Sequence, residues 1–124
     1  MSTRKPSKKT LTAKLDRICS KIVRSHGVCM KCGNSNYEKL QCCHIFSRTY
    51  RNTRWSFLNL LCLCSSCHFW SHRNPILFAE FVKDLLGDRY ETLKQEAQKV
   101  KKWSVGEMEE MLETLEKSFE ESYP

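Results

Sequence analysis

No stretch of this 124-residue chain approaches the roughly 20 consecutive apolar residues a membrane-spanning helix needs, so a transmembrane helix is excluded. The opening run M-S-T-R-K-P-S-K-K-T lacks an apolar core and does not read as a secretory signal, so the expected compartment is the reducing cytoplasm. Carboxylates are scarce in the first 74 residues, which carry 2 Asp+Glu against 14 Lys+Arg, whereas residues 75–124 carry 12 against 7. A basic block followed by an acidic tail is the asymmetry expected of a nucleic-acid binder. Continuous apolar sequence is also scarce in the first half, and a structural metal would supply what burial there cannot. The chain has no internal repeat.

What the chain does have is eight cysteines: Cys19, Cys29, Cys32, Cys42, Cys43, Cys62, Cys64 and Cys67. In a reducing compartment, two C-x2-C pairs point to zinc rather than disulfides. Cys29 and Cys32 are followed by Gly33, which suits the positive-φ turn of a zinc knuckle, and Cys64 with Cys67 repeats the spacing after 31 intervening residues. Four thiolates on one Zn2+ make a closed, structural site, contributing on the order of 10–16 kcal/mol of apparent binding energy that is also folding energy. Cys62 offers a competing C-x-C with Cys64, and Cys42–Cys43 adds two more thiols. Cys64 and Cys67 are preferred because their spacing mirrors the first pair. Cys19 lies by an apolar helical stripe and reads as core.

Hydrophobic spacing predicts an α+β protein. Residues 1–10 form a basic, flexible arm. From Thr10, Leu11, Leu15, Ile18 and Ile22 recur on one helical face, with Lys14, Arg17 and Lys21 on others and Gly27 as the stop. Leu40 to Phe46 reads as a strand holding His44. The loop over 47–56 carries Arg48, Arg51 and Arg54 as candidate phosphate contacts, with Trp55 as its anchor. Phe57 to Leu63 is a second short run containing Asn59. A helix opened by Ser65-Ser66 places His68 and His72 on one face. Pro75 starts another helix that Gly87 ends, a polar helix follows from about Asp88 to Lys102, and Ser104 with Glu107 forms a capping box for a last helix. Residues 11–74 thus form the core unit, and 75–124 are helices packed on it or on a partner, with no chemistry-bearing constellation of their own.

Phosphodiester hydrolysis needs a base for the attacking water, a Lewis acid at the leaving oxygen, and groups that hold both in line. His44, Asn59 and His68 are candidates for a base, an amide that orients it, and a metal ligand. A strand with His, a second with Asn and a helix with His, bracketed by two C-x2-C pairs, resembles the HNH (ββα-metal) nucleases, above all over N-L-L-C-L-C-S-S-C-H-F-W-S-H. The resemblance implies His44 as general base, Asn59 as the residue holding the hairpin and base in place, and His68 as a catalytic-metal ligand. His72 stands where some members carry a second ligand or phosphate contact. Many members place Asp before the catalytic histidine. Here Cys43 stands there, and either it ligates a softer ion or water and phosphate complete the shell.

C-M-K-C-G, Q-C-C-H-I-F-S-R, T-R-W, C-S-S-C and the later K-K-W-S-V-G-E-M-E-E-M are together similar to the phage NinG/Rap recombination nucleases. That likeness implies a zinc-stapled ββα-metal core with a leading basic helix and a C-terminal helical appendage. It also implies cleavage of branched DNA such as Holliday junctions or displaced strands, in the host cytoplasm, with structural Zn2+ and catalytic Mg2+ or Mn2+. Symmetric junction resolution would favour a homodimer with a two-fold axis. The rivals are an HNH nickase acting on ordinary duplex and a zinc module that binds nucleic acid without cutting it.

Overall fold

The computed structural model describes residues 6–122, so the first five residues of the expected arm lie outside the described residues. Helix α1 spans Lys8–Arg24. It starts before Thr10 because Ser7 caps it: the Ser7 Oγ accepts the Thr10 N–H at 3.1 Å, and the Ser7 carbonyl accepts that of Leu11. Leu11, Leu15, Ile18 and Cys19 are its buried stripe.

After the first cysteine pair, strand β1 (Leu40–His44) and strand β2 (Leu60–Cys64) form a two-stranded antiparallel sheet in which Leu40 faces Cys64 and His44 faces Leu60. β1 is shorter than its apolar pattern suggests. Beyond His44, the Ile45 N–H goes to the Asn59 carbonyl and the Phe46 N–H to the Asn59 side chain, so Asn59 ends the ladder. Asn59 itself closes a 3-10 turn over Phe57–Asn59 just ahead of β2.

Helix α2 (Ser65–Arg73) follows β2 directly, then α3 (Pro75–Leu86), α4 (Arg89–Gln98) and α5 (Val105–Ser122). Pro75 opens α3, and Gly87 ends it at φ 56°, a left-handed value that disfavours any side chain. The polar helix stops at Gln98, short of Lys102. Residues 99–104 instead run across the 47–56 loop, where the Trp103 indole N–H donates to the Arg51 carbonyl at 2.9 Å. The capping box forms, with Glu107 Oε1 accepting the Ser104 N–H and Ser104 Oγ accepting that of Glu107.

Every residue of β2 is buried, because helices cover both sides of the hairpin. On one side Leu61, Leu63 and Cys43 pack with Val82 and Leu86 of α3 and Leu93 of α4. On the other, Leu11, Leu15 and Ile18 of α1 pack with Met108 and Leu112 of α5, Trp55 and Leu60. No described helix is long and apolar enough to cross a membrane.

Candidate metal centre and histidine cleft

The two cysteine pairs meet at the end of the hairpin. Gly33, at φ 78°, closes the first knuckle, with its N–H on the Cys29 carbonyl, and the Met30 N–H donates to the Cys62 carbonyl, docking the knuckle on β2. Cys64 ends β2 and caps α2, so its partner Cys67 lies in the first helical turn. The sulfurs of Cys29, Cys32, Cys64 and Cys67 all lie within 4.8 Å of one another. Tetrahedral Zn–S bonds of about 2.3 Å place sulfurs about 3.8 Å apart, and Cys32 and Cys64 are at 3.7 Å, far beyond disulfide bonding.

Backbone amides point at the sulfurs from both knuckles, Cys32 N–H to Cys29 Sγ and Cys67 N–H to Cys64 Sγ, each at 3.5 Å. Burial pushes the Cys29 thiol up, but the N–H groups of Cys32, Cys64 and Lys31 outweigh it and bring the group down to about 6. Cys67 is pushed up, by burial first and then by the neighbouring sulfurs. Sulfurs this close cannot all carry charge unless a cation sits among them, and the donor set fits one Zn2+. Of the competing thiols, Cys62 lies outside this cluster and is raised by burial.

His44, at the end of β1, donates Nε2–H to the Arg54 carbonyl at 3.0 Å. A carbonyl only accepts, so in the neutral ring Nδ1 carries the lone pair. Burial lowers the His44 pKa below the ordinary 6.5; the Arg54 carbonyl opposes that and nearby Arg48 adds to it. His68 is lowered too, by burial and then by His72, His44 and Arg48. The His68 and His72 rings lie one turn apart, tilted by 37° with centroids at 4.9 Å. His68 Nδ1 lies 2.7 Å from Gln41 Oε1 on β1, which leaves Nε2 open. His44, His68, His72 and Arg48 line one cleft of about 700 Å3, and no carboxylate lines it.

Asn59 is fully buried, and its side-chain hydrogen bonds go to backbone groups of the loop rather than to the His44 ring. Its Oδ1 accepts the Phe46 N–H at 2.8 Å, and its Nδ2 donates to the carbonyls of Phe46 at 3.0 Å and Thr53 at 3.1 Å. It therefore clasps both ends of the loop whose Arg54 carbonyl holds the imidazole.

Two residues that sequence reasoning passed over complete the support. Gln41 orients His68. Asp16 of α1 accepts from Arg54 Nε at 3.0 Å, from Arg54 Nη2 at 2.6 Å and from Trp55 Nε1 at 2.8 Å, tying the loop to the leading helix. Burial pushes the Asp16 carboxyl up, but the bonds from Arg54 and Trp55 win and hold it below its ordinary value. As the lone acid among the cations of α1, Asp16 was the available signal.

The other candidates scatter. Arg54 is engaged with Asp16 rather than free, and Trp55 is the buried anchor its position suggests. Cys43 is buried in the core beside Ser71 Oγ, and burial raises its thiol to about 11. Cys42 lines the cleft, but burial raises it to about 12. Lys14, Arg17 and Lys21 share a different face of α1, beside Glu116 and Glu120 of α5. Arg51 stands on the far side of the loop, among other cations. Among the described residues, the four cysteines are the only group of three or more His, Cys, Asp or Glu with ligand atoms gathered for a metal. No family model, curated protein or solved structure matches this chain.

Proposed function

We propose that the chain is a metal-dependent DNA endonuclease with an HNH-type (ββα-metal) site, in which His44 activates water against a phosphodiester. The observation that carries this reading is the state of His44: a ring kept neutral by burial, fixed through Nε2 on the Arg54 carbonyl, at a cleft shared with the His68 and His72 imidazoles. A positioned base with a pKa near or below neutrality is what proton abstraction requires, worth about 10²–10⁴-fold.

In this reading, Nδ1 of His44 takes the proton of the attacking water. Arg48 draws the phosphate into the cleft, Asn59 and Asp16 hold the loop that orients the base, and Gln41 turns His68 so that Nε2 faces outward. His68 and His72 are the residues to hold a catalytic ion, which when bound supplies Lewis-acid charge at the leaving oxygen. Two imidazoles and no carboxylate favour Mn2+ over Mg2+, since Mg2+ prefers an oxygen shell.

Branched DNA as the substrate rests on the likeness to the phage recombination nucleases. The test is metal-dependent cleavage of a four-way junction, a flap and a linear duplex, with His44→Ala as control. Cutting of branched substrates with Mn2+ or Mg2+, abolished in the variant while DNA binding and folding persist, supports the proposal. Equal rates on all three DNAs remove the branched preference, and no cutting of any DNA leaves a binding module.

A further inference from the structure

We propose that the groove formed by the start of α1, the 47–56 loop and the segment ahead of α5 is a second nucleic-acid backbone site, separate from the histidine cleft. It rests on the reading of the chain as a DNA-acting protein and extends that reading to where the strand beyond the cut is held.

The groove encloses about 500 Å3, and Lys8, Lys9, Arg51, Lys101 and Lys102 line it with Trp103. These residues come from three segments far apart in sequence, so their convergence is a product of the fold. Only Lys101 is neutralised: Glu107 accepts from it at 2.7 Å, and its ammonium also sits 4.6 Å above the Trp103 ring. Among the described residues, the other four cations have no acidic partner within ion-pair distance. Like charges gathered around one concavity repel, and an incoming polyanion relieves that cost. Lys8 and Lys9 stand in the first turn of α1, where no acidic residue is present. Cations there oppose the helix dipole, a local loss of stability that bound phosphate would reverse.

The groove is built rather than draped. Trp103 Nε1 donates to the Arg51 carbonyl at 2.9 Å, its ring lies against Trp55 with centroids at 5.8 Å, and Asn52 Nδ2 on the same loop donates to the Glu96 carbonyl at 2.9 Å. Arg48 and Arg51 are three residues apart on that loop, one lining the histidine cleft and the other the groove. Three residues span at most about 10 Å, so a single phosphate backbone can pass from one recess to the other. A recess ringed by cations suits a phosphate strand better than a lipid surface, which is met by protruding apolar side chains.

The experiment compares the zinc-loaded full chain with a variant carrying Lys8→Gln, Lys9→Gln and Lys102→Gln, and with a charge-matched control carrying Lys39→Gln, Lys83→Gln and Lys94→Gln. Binding of fluorescein-labelled single-stranded and duplex DNA is followed by anisotropy across a salt series, without added Mg2+ or Mn2+. Each duplex phosphate neutralised contributes about 0.9 to the slope of log affinity against log salt, so the groove variant should lose about 2 to 3 in slope and the control much less. Replacing the same three lysines by arginine should restore the slope. Equal losses in groove variant and control, or no loss in either, overturn the site. So does a groove variant that loses only its binding to phosphatidylserine vesicles. Because no cleavage is read, a protein that never cuts DNA but shows the selective loss keeps this groove while losing the nuclease reading. One that cuts DNA with an unchanged slope does the reverse.

Discussion

Asn59 and Asp16 are the two polar side chains that hold the loop beside the cleft in shape. Asn59 satisfies three backbone groups from a position with no solvent access. Asn59→Ala would strand the Phe46 N–H and the carbonyls of Phe46 and Thr53, at a cost of about 2–4 kcal/mol. Urea unfolding of the two proteins should show that difference as a shift in midpoint at unchanged slope. His44 titrates below the ordinary 6.5, so folding holds fewer protons there than the unfolded chain does. Its contribution to stability is therefore complete above that value and falls away as pH drops through the folded pKa. The cleavage rate should follow the same group, rising with pH over the acidic part of a scan from about pH 5 to 8 and flat above neutrality. A rate that climbs steadily across the whole range would exclude His44 as the base.

Among the elements, the hairpin is the one that cannot stand alone. Two five-residue strands are marginal in water. The four-cysteine cluster fastens the end of β2 and the first turn of α2 to the knuckle after α1, so one ion would link three segments. Atomic absorption should find one zinc per chain, and a strong chelator or Cys64→Ser should abolish cooperative thermal unfolding, since metal binding of about 10–16 kcal/mol is also folding energy. Retention of the native melt after complete zinc removal would show that burial alone suffices. The spacing of Cys29, Cys32, Cys64 and Cys67 made this cluster legible before any coordinates, because a tetrahedral ion imposes one geometry on short chelating loops. The exact strand ends were not legible: β1 stops where Asn59 captures its next two amides, which no hydrophobic pattern records.

At the scale of the whole molecule, the acidic C-terminal half is part of the same body as the basic half. α5 lies along α1, with Met108 fully enclosed among the residues of α1 and the tryptophan pair. Met108→Ala should cost about 2–5 kcal/mol, read by chemical denaturation, while zinc content stays at the wild-type level. An unchanged midpoint would show that α5 is an accessory strap rather than core. The net negative charge of residues 75–124 conceals Lys101 and Lys102, which the extended segment carries over to the basic side.

The sequence by itself determined the α+β class, the cysteine quartet, the helical caps and the candidacy of His44 and His68, because each depends on local spacing and on side-chain chemistry read at short range. Only the tertiary structure decided that Asn59 grips the loop instead of the imidazole, that Cys43 faces the core, that Arg54 belongs to Asp16, and that distant lysines share a groove. Those outcomes depend on which segments meet across the hairpin, and such meetings are governed by packing and by the pairing of buried polar groups, which act between residues far apart in the chain.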